Sequence, residues 1–404
     1  TPLLCHPFIQ LLGDASYALY LLHWPVVCVL KDREVDDTSY LITAMAACIC
    51  LSIIAHLTYE KWYLSLSERS TIALVVTLYL ASFALIVHSS TRKPTALVTN
   101  GEFDPAEALN RWEPGVSTNF SDDQARQMNK LMGRQLAESL TLPDCTPRPD
   151  VEKNDRFKFC YFPEGRGSYS FLIIGNSYAL SPGKLVLKDF KKHYSKISIR
   201  AVPHCEPLIE TKHHMCKNLP LAHKKFLEDT EREQPDVLFI SARYENPGVE
   251  ITGNVSTDPL YLYMFDKLRS YEKIVKKKVF ILSSFPQLIA PSEVEKRRRK
   301  LGLPVEGFMT EAIKQDDEPM RIRIAELAKK CEKCVVYDIR HRHLNDRGEF
   351  QTVDPSTKLR YFEDSVHYTS VGIKVIEPVF TKMSKEFDHL MKAKYPDNIF
   401  ELNN

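Results

Sequence analysis

The chain has 404 residues, 44% of them hydrophobic, and its 54 Lys and Arg almost balance 52 Asp and Glu, for a formal net charge of +2. That length allows a membrane segment and one globular domain of ordinary size. The balanced charge argues against a nucleic-acid partner, and the basic runs 276–278 and 296–300 are interpreted as solvated faces.

Three apolar stretches open the chain, at residues 11–30, 38–59 and 70–91, and the last two contain no Asp, Glu, Lys or Arg. Each is long enough to cross a bilayer, which takes roughly 20 apolar residues. Three stretches in series do not fit a signal peptide. We therefore expect three transmembrane helices within residues 1–91, in contact with membrane lipid.

Residues 92–165 are rich in Pro, Asp, Asn and Gly and predict a linker that carries one helix at 122–140. From residue 168 short apolar strands alternate with polar segments of helix length, and 166–395 is expected to be one domain before a tail at 396–404. The predicted strands are 171–174, 197–202, 237–241, 279–283 and 335–339. This alternation predicts an α/β fold with a doubly wound parallel sheet.

Ser177 lies just beyond the first of these strands, after Gly175, and is a candidate nucleophile at the carboxyl edge of the sheet. A serine hydroxyl needs a base, and the base needs a carboxylate that orients it. Asp364 and His367, three residues apart, are candidates for those roles. The alternative is an ordinary serine at a strand end and a surface histidine.

Six cysteines fall in the predicted globular part, and those close in sequence suggest three disulfides: Cys145 with Cys160, Cys205 with Cys216, and Cys331 with Cys334. Six cysteines allow 15 connectivities, so the pairing stays open at this stage. A zinc site is the rival interpretation of the last pair, with His341 and His343 nearby, but no metal is predicted. The glycosylation sequons at Asn119 and Asn254 also favour an oxidising, luminal or extracellular compartment.

Gly175-Asn176-Ser177 and Asp364-x-x-His367 resemble the nucleophile and terminal blocks of the SGNH (GDSL-type) hydrolases, with Asn for the family's Asp. The resemblance implies a flavodoxin-like fold with Ser177 as nucleophile, His367 as base and Asp364 as its carboxylate. The family's Gly-x-Asn-Asp block is absent. In its place Ser241-Ala242-Arg243-Tyr244 resembles a variant found in membrane-fused domains, which implies an oxyanion or substrate contact for Arg243 and, at the nucleophile block, for Asn176.

The run from Leu12 to Pro25 resembles the signature of acyltransferase-3 membrane proteins. The usual acyltransferase-3 domain has about ten spans, so residues 1–91 are expected to be its C-terminal part. The family's catalytic histidine lies in an earlier span, and His23 is therefore given a structural role. Relatives fused to an SGNH domain are carbohydrate O-acyltransferases in bacteria, with similar proteins in nematodes.

Together these resemblances imply a multi-pass membrane O-acyltransferase with its C-terminal domain luminal or extracellular. It would move an acyl group, expected to be acetyl, from cytosolic acyl-CoA to a carbohydrate or other hydroxyl-bearing acceptor, with no bound cofactor. Two alternatives stay open: a luminal esterase with the same Ser177, Asp364 and His367, and a catalytically silent receptor for lipid or glycan. Asn176 in place of Asp, Tyr178 where fused relatives often have His, and the missing Gly-x-Asn-Asp block are the features that keep the silent receptor open beside the leading hypothesis of acyl transfer.

Overall fold

The structure is a computed structural model that describes residues 7–32, 38–91, 103–116, 119–136, 140–142, 144–148, 159–211, 216, 222–303 and 312–393. It divides into two compact units, Thr1–Glu102 and Phe103–Asn404. The predicted helix at 122–140 is observed as Asp122–Arg134, and residues 137–139 and the tail 396–404 lie outside the described residues.

The first unit is helical in all three stretches predicted to span a membrane. Its helices are Pro7–Asp14, Ser16–Asp32, Thr38–Ala55 with a π-helical continuation His56–Glu60 and Lys61–Leu64, and Glu68–Thr91. Among the described residues, one continuous helical segment, Thr38–Leu64, is long and apolar enough to cross a bilayer. Three spans therefore remain a prediction.

His23 lies inside the helix Ser16–Asp32, close to Pro25. Its Nδ1 is 3.1 Å from the carbonyl oxygen of Leu19 and 3.0 Å from that of Tyr20, both one turn earlier in the same helix. A ring N–H donated to the helix's own backbone fits the structural role expected for this residue.

The second unit is built on a sheet whose strands are β1 (Thr146–Pro147), β2 (Phe159–Tyr161), β3 (Tyr169–Gly175), β4 (Tyr194–Ala201), β5 (Val237–Ile240), β6 (Lys278–Leu282) and β9 (Cys334–Tyr337). The strands β7 (Gln287–Leu288) and β8 (Ile313–Gln315) form a separate antiparallel pair. The order in the main sheet is β1-β2-β4-β3-β5-β6-β9. The five strands from β4 to β9 in this order are parallel, as predicted from their apolar runs. The edge strands β1 and β2 run antiparallel.

The chain passes from β3 to β4 on one side and then to β5 on the other side of β3. Strand order therefore reverses at β3, where loops leave in opposite directions and open a crevice at the carboxyl ends. The register pairs Ile174 of β3 with Ile240 of β5, so both strands end at the same level. The residues that directly follow β3 and those that directly follow β5 therefore lie close together at this crevice.

Helices cover both faces of the sheet, because alternate residues of each buried strand point to opposite sides. Phe171 and Ile173 belong to one apolar core, and Leu172 and Ile174 belong to the other. The helix Ser370–Lys385 packs Val371, Val375, Val379 and Phe380 in the first core. The helices of this unit are Pro105–Arg111, Asp122–Arg134, Ser177–Leu180, Gly183–Asp189, Ala222–Glu233, Pro259–Ile274, Pro291–Lys300, Glu318–Lys329, Ser370–Lys385 and Phe387–Lys392, with 3₁₀ turns Val255–Thr257 and Arg340–His343.

The helix Asp122–Arg134 belongs to this unit and packs Met128 and Met132 into the first core. A capping box begins it: the Ser121 hydroxyl accepts from the Gln124 backbone N–H, and the Gln124 side chain accepts from the Ser121 N–H.

Three disulfides join the cysteines in the predicted pairs: Cys145–Cys160, Cys205–Cys216 and Cys331–Cys334. The first ties the β1 end of the edge hairpin to β2, and the third closes the turn that enters β9. Because Cys331 and Cys334 are bonded to each other, they are not available as zinc ligands. Disulfides of this kind indicate that the domain matures in an oxidising compartment outside the cytosol.

Candidate active site

The backbone turns sharply where β3 ends, and Gly175 makes that turn possible. A Cβ atom at residue 175 would lie 1.9 Å from the carbonyl oxygen of Ser241, so any side chain there would collide with the backbone that follows β5. Ser177 then begins the short helix Ser177–Leu180 and remains partly exposed. The close approach of β3 to β5 thus places the serine at the crevice.

Asn176 holds the two strand exits together. Its side-chain oxygen accepts from the backbone N–H groups of Tyr178 and Arg243, at 3.2 Å each, while its NH₂ donates to the Arg243 carbonyl at 2.7 Å. The side chain is buried, and these bonds need an acceptor and a donor on one planar group. An ionised Asp could not donate to that carbonyl, so the contact gives a physical reason for the departure from the SGNH block.

Asp364 and His367 lie in a loop after the last predicted strand and form a tight pair. His367 Nδ1 is 2.7 Å from Asp364 Oδ2, while Asp364 Oδ1 accepts from the backbone N–H groups of Val366 and His367 at 2.7 and 2.6 Å. One carboxylate therefore shapes the loop with one oxygen and orients the imidazole with the other. This leaves Nε2 as the ring atom available for proton transfer.

The ionisation of Asp364 suits this role. Burial acts to raise its pKa, but the hydrogen bond and charge of His367, together with the two backbone N–H groups, outweigh burial and bring the pKa below its ordinary value. The carboxyl group is therefore ionised at neutral pH and can stabilise a positively charged imidazole.

Ser177, Asn176, Arg243 and His367 line one cavity of about 520 Å³. The structure thus brings together four of the predicted site residues. The fifth, Asp364, is hydrogen-bonded to His367, which lines the cavity. Within the described residues, no hydrogen bond joins the Ser177 hydroxyl to His367. Catalytic hydrogen bonds are often long or poorly aligned before substrate binds, so the shared cavity is compatible with a triad.

Arg243 is 6% exposed, yet its Nε and one terminal nitrogen, Nη2, have no hydrogen-bond partner among the residues that the structure describes. Its guanidinium carbon is 5.9 Å from the centre of the Phe285 ring. A buried guanidinium with unused donors is costly unless a ligand or a developing negative charge completes it. Arg243 can therefore serve as a donor to an oxyanion or to substrate.

Tyr178 supports the loop of the candidate site through contacts that sequence reasoning did not identify. It is fully buried between the rings of Phe285 and Tyr368, at centroid distances of 5.2 and 5.8 Å, and its hydroxyl donates to the Val366 carbonyl at 2.7 Å. Burial raises the pKa of Tyr178 well above its ordinary value, which keeps the hydroxyl protonated. The residue after the serine thus anchors the residue before the histidine.

The other predicted sites lie away from this cavity. Asn119 and Asn254 are exposed, as glycan attachment requires, and their glycosylation remains a prediction. Within the part of the chain that the structure describes, no group of three or more His, Cys, Asp or Glu side chains is arranged to hold a metal ion.

Residues 144–382, more than half of the chain, match the sequence profile of the family described as "SGNH domain (fused to AT3 domains)". No curated protein gives a significant match. The chain is similar to the periplasmic domain of a lipopolysaccharide acetyltransferase from Salmonella ser. Paratyphi A, with 13% identity, TM-score 0.45 and coverage of 66% of this chain and 98% of that one. It is also similar to a possible lipase from Chitinophaga pinensis, with 9% identity, TM-score 0.30 and coverage of 55% and 99%.

Proposed function

We propose, because the chain belongs to the family of SGNH domains fused to AT3 domains, that it is a membrane-bound O-acyltransferase. In this proposal Ser177, His367 and Asp364 transfer an acyl group to a hydroxyl-bearing acceptor outside the cytosol. The observation that carries the proposal is the shared cavity, which is lined by a serine, an oriented histidine and a buried arginine with two nitrogens that have no partner among the described residues.

The chemistry follows from these positions. His367 Nε2 takes the proton of the Ser177 hydroxyl as its oxygen attacks the acyl carbonyl carbon, and Asp364 stabilises the imidazolium that forms. Arg243 donates to the carbonyl oxygen as it becomes negative. The leaving group takes the proton from His367, and the acyl group stays on Ser177 as an ester.

In the second half of the reaction an acceptor hydroxyl gives its proton to His367 and attacks the acyl-enzyme, so that Ser177 is released and regains a proton. Water can take the same place, which would make the protein an esterase. The same cavity supports both outcomes, and family membership favours transfer because the family is defined by its fusion to AT3 domains.

The donor in this proposal is cytosolic acyl-CoA, expected to carry acetyl, and the membrane segment passes the acyl group outward. Support comes from the N-terminal helices, which expose apolar side chains as helices in contact with lipid do. Carbohydrate is the acceptor class that the resemblance of the Leu12–Pro25 run implies. The chain would then be a multi-pass membrane protein with its SGNH domain luminal or extracellular.

The test is turnover of p-nitrophenyl acetate by the whole chain, with and without an alcohol acceptor, by wild type and variants. Ser177→Ala and His367→Ala should each lose at least about a thousandfold in kcat, and Asp364→Asn should lose less, because its amide oxygen can still accept from the Val366 and His367 N–H groups. Ser168→Ala, an exposed serine at the other end of β3, is the matched control.

Formation of a new ester with the alcohol supports transfer, whereas acetate alone in every condition identifies an esterase. Turnover that survives Ser177→Ala unchanged would contradict the role of Ser177 in both reactions, and a wild type without turnover would favour a binding protein.

A further inference from the structure

The cavity wall carries a second histidine–carboxylate pair besides His367 and Asp364. His204 follows β4 and Glu245 follows β5, and His204 Nδ1 is 3.2 Å from Glu245 Oε1. Both side chains line the same cavity as Ser177 and His367. The triad does not use this pair, because His367 already has its own carboxylate.

The backbone holds His204 in an unusual conformation. Its φ angle is 61°, in the left-handed region that residues other than glycine rarely adopt. Such a conformation costs free energy and persists only where the surroundings impose it, which is common in binding and catalytic sites. The next residue, Cys205, is buried and bonded to Cys216, which fixes the loop on its far side.

A buried carboxylate ties this loop to Glu245. Glu206 accepts the backbone N–H of Glu245 at 2.7 Å with one oxygen and the Thr211 hydroxyl at 2.7 Å with the other. The loops after β4 and β5 are therefore joined twice, once through the Glu206 contact and once through the pair itself. Contacts within the fold therefore hold the pair in position.

The pair remains accessible even though it is anchored. The His204 side chain is 45% exposed and that of Glu245 is 21% exposed. Asn246 and Gln287, two amides, line the same cavity. An imidazole, a carboxylate and two amides offer several hydrogen-bond donors and acceptors in one place, which is the chemistry that binds neighbouring hydroxyl groups of a polyol.

We propose that His204 and Glu245 form the acceptor subsite and bind a polyhydroxylated acceptor, a sugar or a similar polyol, through its hydroxyl groups. This inference rests on the proposed acyltransferase function. Bound there, one acceptor hydroxyl faces the acyl-enzyme. Its oxygen forms the new ester bond as the bond from the acyl carbon to Ser177 Oγ breaks, and its proton passes through His367 to Ser177.

The experiment uses the whole chain with p-nitrophenyl acetate as donor and either methyl glucoside or methanol as acceptor. The readout is the ratio of acetyl ester formed to acetate released, which follows the fate of the acyl-enzyme whatever the absolute rate. His204→Gln and Glu245→Gln should lower the ratio for methyl glucoside at least tenfold and change the ratio for methanol less than about twofold, because a monohydric alcohol does not need the subsite.

Glu245→Gln is nearly isosteric and keeps the backbone N–H bond to Glu206, so loop collapse cannot mimic the effect. His389→Gln, at an exposed position in the helix Phe387–Lys392, is the matched control and should leave both ratios unchanged. Variants that retain the wild-type ratio for methyl glucoside would overturn the proposal. A wild type that hydrolyses the donor through Ser177 but acylates no methyl glucoside would also overturn the subsite, while the triad would remain supported. Donor turnover that does not change in Ser177→Ala would instead overturn the proposed function, and the subsite with it.

Discussion

Asn176 shows how one residue can serve the fold and the site together. Its amide makes three hydrogen bonds, and the two with the Arg243 backbone connect the exits of β3 and β5, which also carry Ser177 and Arg243. With Asp at residue 176 the side chain would lose the NH₂ group that donates to the Arg243 carbonyl. The asparagine therefore helps to hold the exits of β3 and β5 together beside Ser177.

We predict that Asn176→Asp, which restores the SGNH residue, destabilises this protein by roughly 1–3 kcal/mol, because a carboxylate oxygen would face the Arg243 carbonyl. A protonated carboxyl could still donate, so the loss should be smaller at about pH 5 than at about pH 8. Urea unfolding followed by near-ultraviolet circular dichroism measures it, with Asn110→Asp on an exposed helix position as control. A variant as stable as wild type at both pH values would show that the NH₂ contact is unimportant.

The site residues differ in how far the sequence could reveal them. Ser177, Asp364 and His367 were named as candidates because they lie in short local motifs. Tyr178 and the His204–Glu245 pair were not, because their partners lie 188 and 41 residues away in sequence and only the fold brings them together. No local pattern marks such contacts.

At the scale of elements, the five parallel strands were predictable because a strand buried on both faces is a continuous apolar run. The edge strands β1 and β2 and the antiparallel pair β7 and β8 were missed. They have two or three residues each, too few for a periodic pattern, and the edge hairpin is supported by the Cys145–Cys160 disulfide. The packing of the helix Asp122–Arg134 on the core also depends on long-range contacts.

Aromatic rings surround His343 and include Tyr368, which is next to the loop that carries Asp364 and His367. This histidine, in the turn Arg340–His343, is buried beside the rings of Phe350 and Phe362 at 5.2 Å, and its Nε2 is 3.1 Å from the Tyr368 hydroxyl. Tyr368 directly follows His367. Burial, and to a lesser degree the charge of Arg342, lowers the pKa of His343 to about 3.

This pKa makes the fold sensitive to acid. The unfolded chain binds a proton near the ordinary pKa of 6.5, whereas the folded chain does not until about 3. The stabilisation is therefore complete above 6.5 and is lost as the pH falls from 6.5 toward 3. Between about pH 7 and about pH 5 this one group should cost roughly 2 kcal/mol of unfolding free energy.

Thermal unfolding across that pH range measures the effect, and His343→Phe should flatten the pH dependence because it removes the titrating group. His389→Gln, at an exposed position, should keep the wild-type slope. An unchanged slope in His343→Phe would show that other groups cause the acid sensitivity.

At the scale of the whole molecule, the disulfides place the SGNH domain in an oxidising compartment, and the sequons lead to a direct prediction. The chain expressed in a eukaryotic secretory pathway should carry glycans at Asn119 and Asn254 and should migrate faster on a gel after glycosidase treatment. Asn119→Gln, which leaves the helix-capping Ser121 in place, and Asn254→Gln should each remove one step of that shift. A chain of unmodified mass would contradict the luminal assignment.

The proposed catalysis requires that His367, from a distant part of the chain, makes Ser177 a nucleophile. A fluorophosphonate probe applied to the whole protein, followed by peptide mapping, tests it most directly. We predict labelling on Ser177 that is lost in His367→Ala and retained in His389→Gln. Absence of labelling at Ser177, or equal labelling without the His367 imidazole, would contradict the account.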